Sequence, residues 1–436
     1  MNNTKNNKPS LRSFLCLWAS QSISAMGTAM TDYALVVWIY GQNGTATSVS
    51  LLTLCSFMPT ILFRFIAGAV ADRWNKKRIM LAADLVAAIG TLCILLLHSC
   101  KALTIPLLYL ITFALSLMNA FQVPAAYVAT SLLIPKEQYA RAGGLQAVSG
   151  AVQSILSPAL GAVVLAWGGL SAVLYVDLFT FAVAFLTLLL LRIPQPERTV
   201  QEEKETLLHS CLTGLRYLTE HRYMLRLILF IAVVNLLAKL GPDGQLAAFV
   251  LSRTGNQQTA LGAVQMCVSL GVIAGGLLMS VSKQAKDHGR AVVVMCCYIF
   301  LTGIGLAVSR GVVGWCLFAF AQYACAAIMN VHWNTVMRTR VPEHLLGRVY
   351  STRDTIQNGT IPLGLFLGGW LVDRVFEPIT AKGTILRQIL QPVFGDGQGM
   401  GIALLFLLVS VIGLMLSAVC LAKRIDHADE DEAQKD

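Results

Sequence analysis

Long apolar segments dominate the chain, and short polar segments separate them. Twelve apolar segments occur, each near or above the roughly 20 residues that a helix needs to cross a bilayer. They cover approximately residues 12–40, 48–71, 78–98, 104–133, 140–167, 170–192, 223–252, 257–282, 288–309, 312–340, 348–376 and 399–423. The pattern predicts an all-α membrane protein with twelve transmembrane helices.

One polar interval is longer than the others and divides the twelve segments into six and six. Residues 193–222 hold two prolines and a charged stretch, followed by an amphipathic piece at about residues 207–217. We interpret this interval as a cytoplasmic linker with a surface helix. The predicted organisation is a six-helix half at 1–192, the linker, a second six-helix half at 223–423, and an acidic tail at 424–436 that we expect to be disordered.

Composition and charge support the membrane class. Of the 436 residues, 56% are hydrophobic and 13% are charged, whereas soluble domains contain about 25% charged residues. The net charge of +10 lies in short loops between apolar segments, which argues against nucleic acid as a partner. With the N-terminus in the cytoplasm, 25 of the 33 lysines and arginines fall on the cytoplasmic side, six fall outside and two lie within spans. The positive-inside rule therefore predicts a multi-pass protein of the cell membrane with both termini cytoplasmic.

Several chemical classes are not indicated by the sequence. The eleven cysteines are scattered, mostly in apolar segments, and no C-x-x-C pair occurs, so we expect free thiols and neither a disulfide framework nor a metal site. No Walker A sequence, serine-hydrolase motif or zinc-protease motif occurs. We therefore expect neither an enzyme, nor a cofactor, nor ATP-driven transport. The first apolar segment is too long for a signal peptide, so no cleaved signal is expected.

A cationic turn connects the second and third apolar segments. The second segment ends in Gly68-x-x-x-Asp72-Arg73, and three basic residues follow at 76–78. This spacing resembles the loop between helices 2 and 3 of the major facilitator superfamily. The resemblance implies a conformational latch, in which Gly68 admits a close helix crossing and Asp72 pairs with Arg73 or with a helix N-terminus. The alternative is a loop that only sets topology.

Two further ionisable residues lie near the predicted cytoplasmic boundary. Arg64 lies two turns before Asp72 in the second segment, and Asp84 lies two turns into the third. A long side chain at such a depth can reach the interface. We interpret Arg64 and Asp84 as structural or latch elements.

The two halves share landmarks at a nearly constant distance along the sequence. The pairs are Gly68-x-x-x-Asp72 with Gly276-x-x-x-Ser280, Met118-Asn119 with Met329-Asn330, and the stretch Pro135 to Arg141 with Pro342 to Arg348. Their shift of 207 to 211 residues indicates a duplicated six-helix unit. Parallel six-helix halves are the major facilitator arrangement, with a binding cavity near the middle of the membrane.

Other motifs narrow the resemblance to exporters. Gly150, Pro158 and Gly161 in the fifth segment resemble the glycine-proline motif of drug-proton antiporters. The stretch at 346–351 resembles the branch that includes macrolide-efflux and siderophore-export permeases. The resemblance implies a secondary active exporter of a small amphiphilic molecule, coupled to protons by alternating access. A proton-coupled importer or uniporter of a metabolite remains the alternative on the same fold, and a non-transporting receptor is the alternative of another class.

Ionisable groups inside membrane segments are costly, and each needs an explanation. Asp32 and Asp243 lie 211 residues apart, so we predict that they are repeat-related, flank one pocket and handle protons. A structural hydrogen bond is the alternative for Asp32. Lys239 lies one helical turn before Asp243, which predicts an ion pair that a substrate or proton opens, or one that merely neutralises itself. We interpret Asp177 as structural.

Uncharged polar residues form two repeat-related stripes. Asn119 and Gln122 lie in the fourth segment, and Asn330 and His332 lie in the tenth. His332 is either a titrating group or a satisfied hydrogen-bonding side chain. We predict that these residues line the substrate cavity. The expected partners are a small-molecule substrate, protons and membrane lipid, and we expect a monomer.

Overall fold

The chain is described by a computed structural model, which covers residues 11–133, 139–191, 193, 215–281, 287–341, 346–395 and 397–422. In these ranges the regular structure is entirely helical. The backbone forms two compact units. The first comprises Met1–Ile39 and Leu52–Glu203, and the second comprises Tyr40–Leu51 and Lys204–Asp436.

Five helices supply the described part of the first unit. They are α1 (Leu11–Asn43), α2 (Ala46–Arg73), α3 (Lys76–Ser99), α4 (Ile105–Leu133) and α5 (Tyr139–Leu190). Their apolar side chains meet in a core that includes Phe14 and Met80. Residues 40–51, which include the end of α1 and the start of α2, belong to the second unit.

The helix α5 contains two of the predicted membrane segments. It is 52 residues long, and its backbone leaves the helical conformation at Gly169 (φ 66°, ψ −169°). A positive φ is accessible to glycine at no steric cost. Gly169 therefore marks a kink between the fifth and sixth predicted segments, at the position where the sequence predicts a loop.

Besides the helical residues 215–220, the second unit contains ten helices whose bounds lie in the described ranges. They are α6 (Arg222–Leu240), α7 (Leu246–Thr254), α8 (Gln258–Val281), α9 (His288–Val308), α10 (Val312–Arg340), α11 (Leu346–Asn358), α12 (Ile361–Leu371), α13 (Glu377–Ile379), α14 (Ile385–Phe394) and α15 (Met400–Ala422). A π-helical turn, Val372–Phe376, joins α12 to α13. The core of this unit includes Phe300 and Trp333.

Two predicted segments, at 223–252 and 348–376, are each broken, the latter between α11 and α12. The segment at 223–252 becomes α6 and α7, because the chain forms turns between Leu240 and Leu246. A Cβ at Gly244 would lie 1.8 Å from the Lys239 carbonyl oxygen, so only glycine fits there. Pro242 cannot donate a backbone hydrogen bond. Breaks of this kind are tolerated at membrane depth where neighbouring groups satisfy the freed backbone.

Small residues on α12 allow a close crossing with α6. A Cβ at Gly364 would lie 2.8 Å from the Leu236 carbonyl oxygen, and one at Gly368 would lie 2.4 Å from the Leu240 carbonyl oxygen. Glycines spaced by four residues bring helix backbones together in membrane proteins. The crossing therefore fixes α12 beside the break that carries Asp243.

The α1–α2 turn is held by an aspartate of the π-helical turn. The Asp373 carboxylate accepts hydrogen bonds from the backbone amides of Ala46 at 3.1 Å and Thr47 at 2.7 Å. These amides open α2 and lack helical partners of their own. Asp373 therefore caps α2 and lies at the positive end of its dipole.

Eight helices in the described ranges are long and apolar enough to cross a membrane. The protein is thus a multi-pass membrane protein. The hydropathy pattern did not predict α14, which lies in the polar interval between the last two predicted segments. Most of the predicted linker and its surface helix, and the predicted tail, lie outside the described residues.

Candidate transport site

A cavity of about 460 Å³ lies in the first unit. Its walls come from all five helices of that unit, and they carry three carboxylates, on Asp32 of α1, Asp84 of α3 and Asp177 of α5. No lysine, arginine or histidine is among the described residues that line it. Hydroxyl and amide side chains supply most of the other polar surface. The cavity is therefore an acidic compartment at membrane depth.

Asp177 is buried in a shell of threonine hydroxyls. Its Oδ2 accepts hydrogen bonds from Thr31 at 2.9 Å and from Thr91 at 3.3 Å, and its Oδ1 accepts one from Thr28 at 3.4 Å. A Cβ on Gly27 would lie 3.0 Å from Asp177 Oδ1, so the absence of a side chain at Gly27 makes room for the carboxylate. Hydroxyls can donate to an ionised carboxylate and can equally accept from a protonated one.

Asp84 is buried between two amides. Gln122 of α4 donates to its Oδ1 at 2.5 Å, and Gln21 of α1 donates to its Oδ2 at 3.3 Å. The sequence predicts that Asp84 is a structural or latch element near the cytoplasmic boundary. The structure places it in the cavity wall beside Gln122, and which of these roles it has stays a prediction.

Asp32 presents its carboxylate to the cavity. Its side chain is exposed there, and within the described ranges it takes part in no hydrogen bond or salt bridge. Asn119 is also exposed at the cavity wall. Of the predicted cavity residues, Asp32, Asn119 and Gln122 thus share one compartment.

The ion pair predicted in the seventh segment is present. Lys239 Nζ lies 2.7 Å from Asp243 Oδ2, and both side chains are about three-quarters buried. The Tyr323 hydroxyl of α10 donates a short hydrogen bond to Asp243 Oδ1. Pro242 therefore does not turn Asp243 away from Lys239, and the pair joins the last turn of α6 to the non-helical turn that follows it. Whether Asp243 shares a pocket with Asp32 stays a prediction.

The polar stripe of α10 divides into two environments. His332 is buried, and its Nδ1 lies 2.9 Å from Nδ1 of His288 at the start of α9, while Asn330 is exposed. Asn334 accepts a hydrogen bond from the largely buried guanidinium of Arg353 at 3.2 Å. No hydrogen bond or salt bridge in the described ranges joins Asn330 or His332 to Asp243. Their role in a substrate cavity remains a prediction.

The helix 5 motif contacts α1 through one of its glycines. A Cβ at Gly161 would lie 3.2 Å from the Tyr33 ring and 3.5 Å from the Met30 backbone, so α5 and α1 approach closely just beside Asp32. Pro158 lies inside α5. Gly150 has open space around it. The motif therefore positions α1 against α5, where Asp32 and Asp177 meet the cavity.

The latch residues are only partly described. The backbone of α2 is helical through Arg73. The surroundings of Gly68 and the side chains of Arg64, Asp72 and Arg73 are not described. The latch therefore stays a prediction from the sequence. The latch is tested by removing the charge of Asp72.

We expect Asp72→Asn to lower the transport rate at least about fivefold, a typical size for an effect on a conformational equilibrium. The change keeps the side-chain volume and removes the charge that pairs with Arg73 or a helix N-terminus. Ser280→Ala, at the repeat-related position, should have a smaller effect. The measurement is the transport rate of each variant at a membrane expression level matched to the wild type. A wild-type rate for Asp72→Asn would refute the latch.

Sequence reasoning missed the partners of the carboxylates. Tyr323, Thr91 and Gln21 were not singled out, because nothing in the sequence shows which helices pack together. The sequence did contain one indication of the cavity-lining face of α1. Polar residues recur there at helical spacing and all line the cavity: Gln21, Ser24, Thr28, Thr31 and Asp32. Polar residues at spacings of three and four lie on one helix face. That stripe identifies the cavity face of α1.

The family of the chain makes it a membrane transport protein rather than an enzyme. The chain belongs to the Major Facilitator Superfamily, whose family pattern matches residues 17–365. The predicted fold, an all-α membrane protein of the major facilitator type, is thereby confirmed, and the twelve-helix count is consistent with it.

Similar proteins include named efflux pumps. The chain is 23% identical over 369 residues to macrolide efflux protein A of Streptococcus pyogenes, covering 83% of this chain and 90% of that protein. It is 26% identical over 382 residues to the multidrug efflux pump Tap of Mycolicibacterium fortuitum, covering 82% of this chain and 88% of that protein. The predicted resemblance to macrolide-efflux permeases is confirmed at low identity.

Solved structures show the same fold. The nucleoside transporter NupG matches with a TM-score of 0.68 at 14% identity, over 94% of this chain and 99% of that one. A bacterial homologue of the iron transporter ferroportin, in an inward-facing state, matches with a TM-score of 0.67 at 14% identity, over 96% of this chain and the whole of that one. At such identities the likeness concerns the fold alone.

Proposed function

We propose that the protein is a secondary active exporter of small amphiphilic molecules, such as drugs or siderophores, and that it works by proton antiport. The observation that carries this proposal is the cavity with Asp32, Asp84 and Asp177 and no basic residue in its described lining. Carboxylates at membrane depth are expensive and are typical of proton relays and substrate pathways. The names of the similar proteins support export as the direction.

The cavity chemistry suits competition between a proton and a cationic group. Asp32 has no described partner, so its carboxylate is available either to a proton or to a positively charged substrate. Protonation removes the charge that holds the cation, and binding of the cation opposes protonation. A single site that both species occupy in turn couples their opposite movements as access alternates.

The apolar part of the lining suits the body of such a substrate. Leu35, Leu115, Met118 and Phe181 contribute to the walls, and methionine and aromatic side chains adapt to irregular apolar shapes. Asn119 adds a donor and an acceptor. The combination favours a molecule with an apolar body and a cationic amine over a small polar metabolite.

Asp177 and Asp84 have partners that favour a supporting role. Three threonine hydroxyls donate to the Asp177 carboxylate and two amides donate to that of Asp84, out of about four lone-pair sites on each. These carboxylates contribute negative potential to the cavity. Asp32 is then the carboxylate that binds a proton and the substrate cation in turn during the cycle.

An importer or uniporter of a metabolite is the second candidate on this fold. The direction of accumulation distinguishes the two. In everted membrane vesicles energised to an acidic interior, an exporter that exchanges protons should accumulate a labelled macrolide or ethidium, and an uncoupler should release it. A proton-coupled importer should instead deplete the probe from such vesicles.

The control for that measurement is a vesicle preparation lacking the protein at the same pH gradient. Export by antiport predicts accumulation several-fold above this control, since each pH unit of gradient corresponds to about a tenfold concentration ratio per proton exchanged. Accumulation that does not respond to the gradient would contradict proton coupling. Screening of drugs, siderophores and metabolites in the same assay identifies the substrate class.

A further inference from the structure

The helix α14 has three distinct faces. Leu386 and Leu390 are partly buried, and Phe394 is fully buried. Gln388 and Gln391 are exposed on a polar face. A third face carries exposed apolar side chains one turn apart, namely Ile385, Ile389 and Val393, at 77%, 64% and 40% exposure. At 100° per residue these three lie between the buried face and the polar face.

The ends of α14 are fixed by hydrogen bonds. At its N-terminus, Thr384 Oγ1 accepts from the backbone amide of Arg387 at 3.3 Å. At its C-terminus, Arg253 donates to the Phe394 carbonyl at 2.8 Å, and Arg310 donates to the carbonyls of Pro392 and Val393. Cations at this end also complement the helix dipole. The exposed apolar face is therefore held in place by a capped helix.

Arg387 adds a second attachment of the flanking chain. Its guanidinium donates to the Thr380 carbonyl at 3.1 Å and to the Gly397 carbonyl at 3.4 Å. These two carbonyls lie just before and just after α14. Thr384 and Arg387 are thus used to hold the backbone, whereas Ile385 and Ile389 are largely exposed.

The position of α14 in the second unit indicates what covers this face. α14 lies between the last two predicted membrane segments, and its C-terminal carbonyls bind Arg310, two residues beyond the end of α9. The helix α9 presents exposed Tyr298, Leu301 and Val308 along one stripe, which in a membrane helix faces lipid. The apolar face of α14 is thus attached at the end of a lipid-facing surface. Exposed apolar area of this kind marks a contact site.

We propose that α14 is an interfacial helix that lies on the outer leaflet of the phospholipid bilayer. Ile385, Ile389 and Val393 enter the boundary between headgroups and acyl chains, Gln388 and Gln391 face water, and Leu386, Leu390 and Phe394 face the protein. A helix with an apolar face and a polar face takes this orientation at a membrane surface. The outer side follows from the positive-inside count, which places this loop opposite the basic loops.

Tryptophan fluorescence in nanodiscs tests the placement at one-residue resolution. Ile389→Trp adds a reporter on the proposed lipid face, and Gln388→Trp adds one on the adjacent polar face as the matched control. The full-length protein is placed in phosphatidylcholine–phosphatidylglycerol nanodiscs, with and without lipids brominated near the headgroup. The wild-type spectrum is subtracted to remove the native tryptophans.

The proposal predicts that brominated lipid quenches the added fluorescence of Ile389→Trp at least about threefold more than that of Gln388→Trp, because only the former side chain enters the lipid boundary. Acrylamide in the aqueous phase should show the opposite order. Equal acrylamide quenching of both variants, without lipid quenching, would show that water covers the face and would overturn the proposal. Blue-shifted emission that depends on protein concentration and not on brominated lipid would mean that a second copy covers it, which would also overturn it.

Discussion

Replacing Asp32 by asparagine is expected to reduce pH-gradient-driven accumulation of substrate at least about tenfold, because an amide keeps the shape of the side chain but cannot exchange a proton for a cation. Among the three cavity carboxylates, Asp32 alone is exposed to the compartment and has no described hydrogen-bond or ion-pair partner. Exchange of labelled for unlabelled cationic substrate at equal pH on both sides should weaken as well, because the amide also removes the charge that holds the cation.

Two comparisons make the Asp32 result specific. Asp32→Glu retains a titratable group and should keep a measurable part of the coupling. Asp287→Asn makes the same chemical change outside the cavity, at the N-cap of α9, where Asp287 accepts from the Arg290 amide at 3.0 Å and asparagine caps equally well. Full gradient-driven accumulation by Asp32→Asn would refute proton coupling by this residue. Asp243, which the sequence also predicts to handle protons, would then be the next residue to test.

The second large effect concerns the stability of the α6–α7 break. Lys239→Ala and Asp243→Ala are each expected to cost about 1–3 kcal/mol, between the values typical of exposed and of buried ion pairs, because each leaves one charge unpaired at membrane depth. The double variant should recover part of the sum. Thermal unfolding in detergent or nanodiscs measures this as a shift of Tm.

Tyr323→Phe provides the matched control for this cycle, because it removes the hydroxyl that binds Asp243 and leaves the ion pair intact. Its cost should be smaller than that of either charge removal. A coupling energy near zero between Lys239 and Asp243 would mean that the pair contributes nothing beyond its separate charges. If Asp243 also serves the transport cycle, the double variant should regain stability without regaining transport.

The sequence by itself determined the class of the protein. Long apolar segments can only be accommodated in a bilayer, and their backbone must then be helical, so the pattern led directly to an all-α membrane protein. Local spacing was equally informative for Lys239 and Asp243, since residues four apart on a helix are neighbours in any fold. The resemblance carried by the stretch Gly68–Arg73 pointed to the superfamily, and that of the helix 5 motif pointed to its drug-proton antiporters.

Only the tertiary structure decided which distant residues meet. Thr31 and Asp177 are 146 residues apart in the chain, and Tyr323 and Asp243 are 80 apart. A hydropathy pattern gives the depth of a residue in the membrane but not its rotation toward a particular neighbour. For that reason the sequence does not show that Asp84 and Asp177 line one cavity with Asp32.

The same distinction applies to α14. Its ten residues are too few and too polar to register as a span, so the hydropathy pattern left them in a loop. The apolar face of α14 becomes visible only when Arg253 and Arg310, from two other parts of the chain, bind its C-terminal carbonyls and fix its rotation. Sequence thus determined which segments enter the membrane, whereas long-range hydrogen bonds and helix crossings determined which carboxylates share a cavity and which helix lies on the surface.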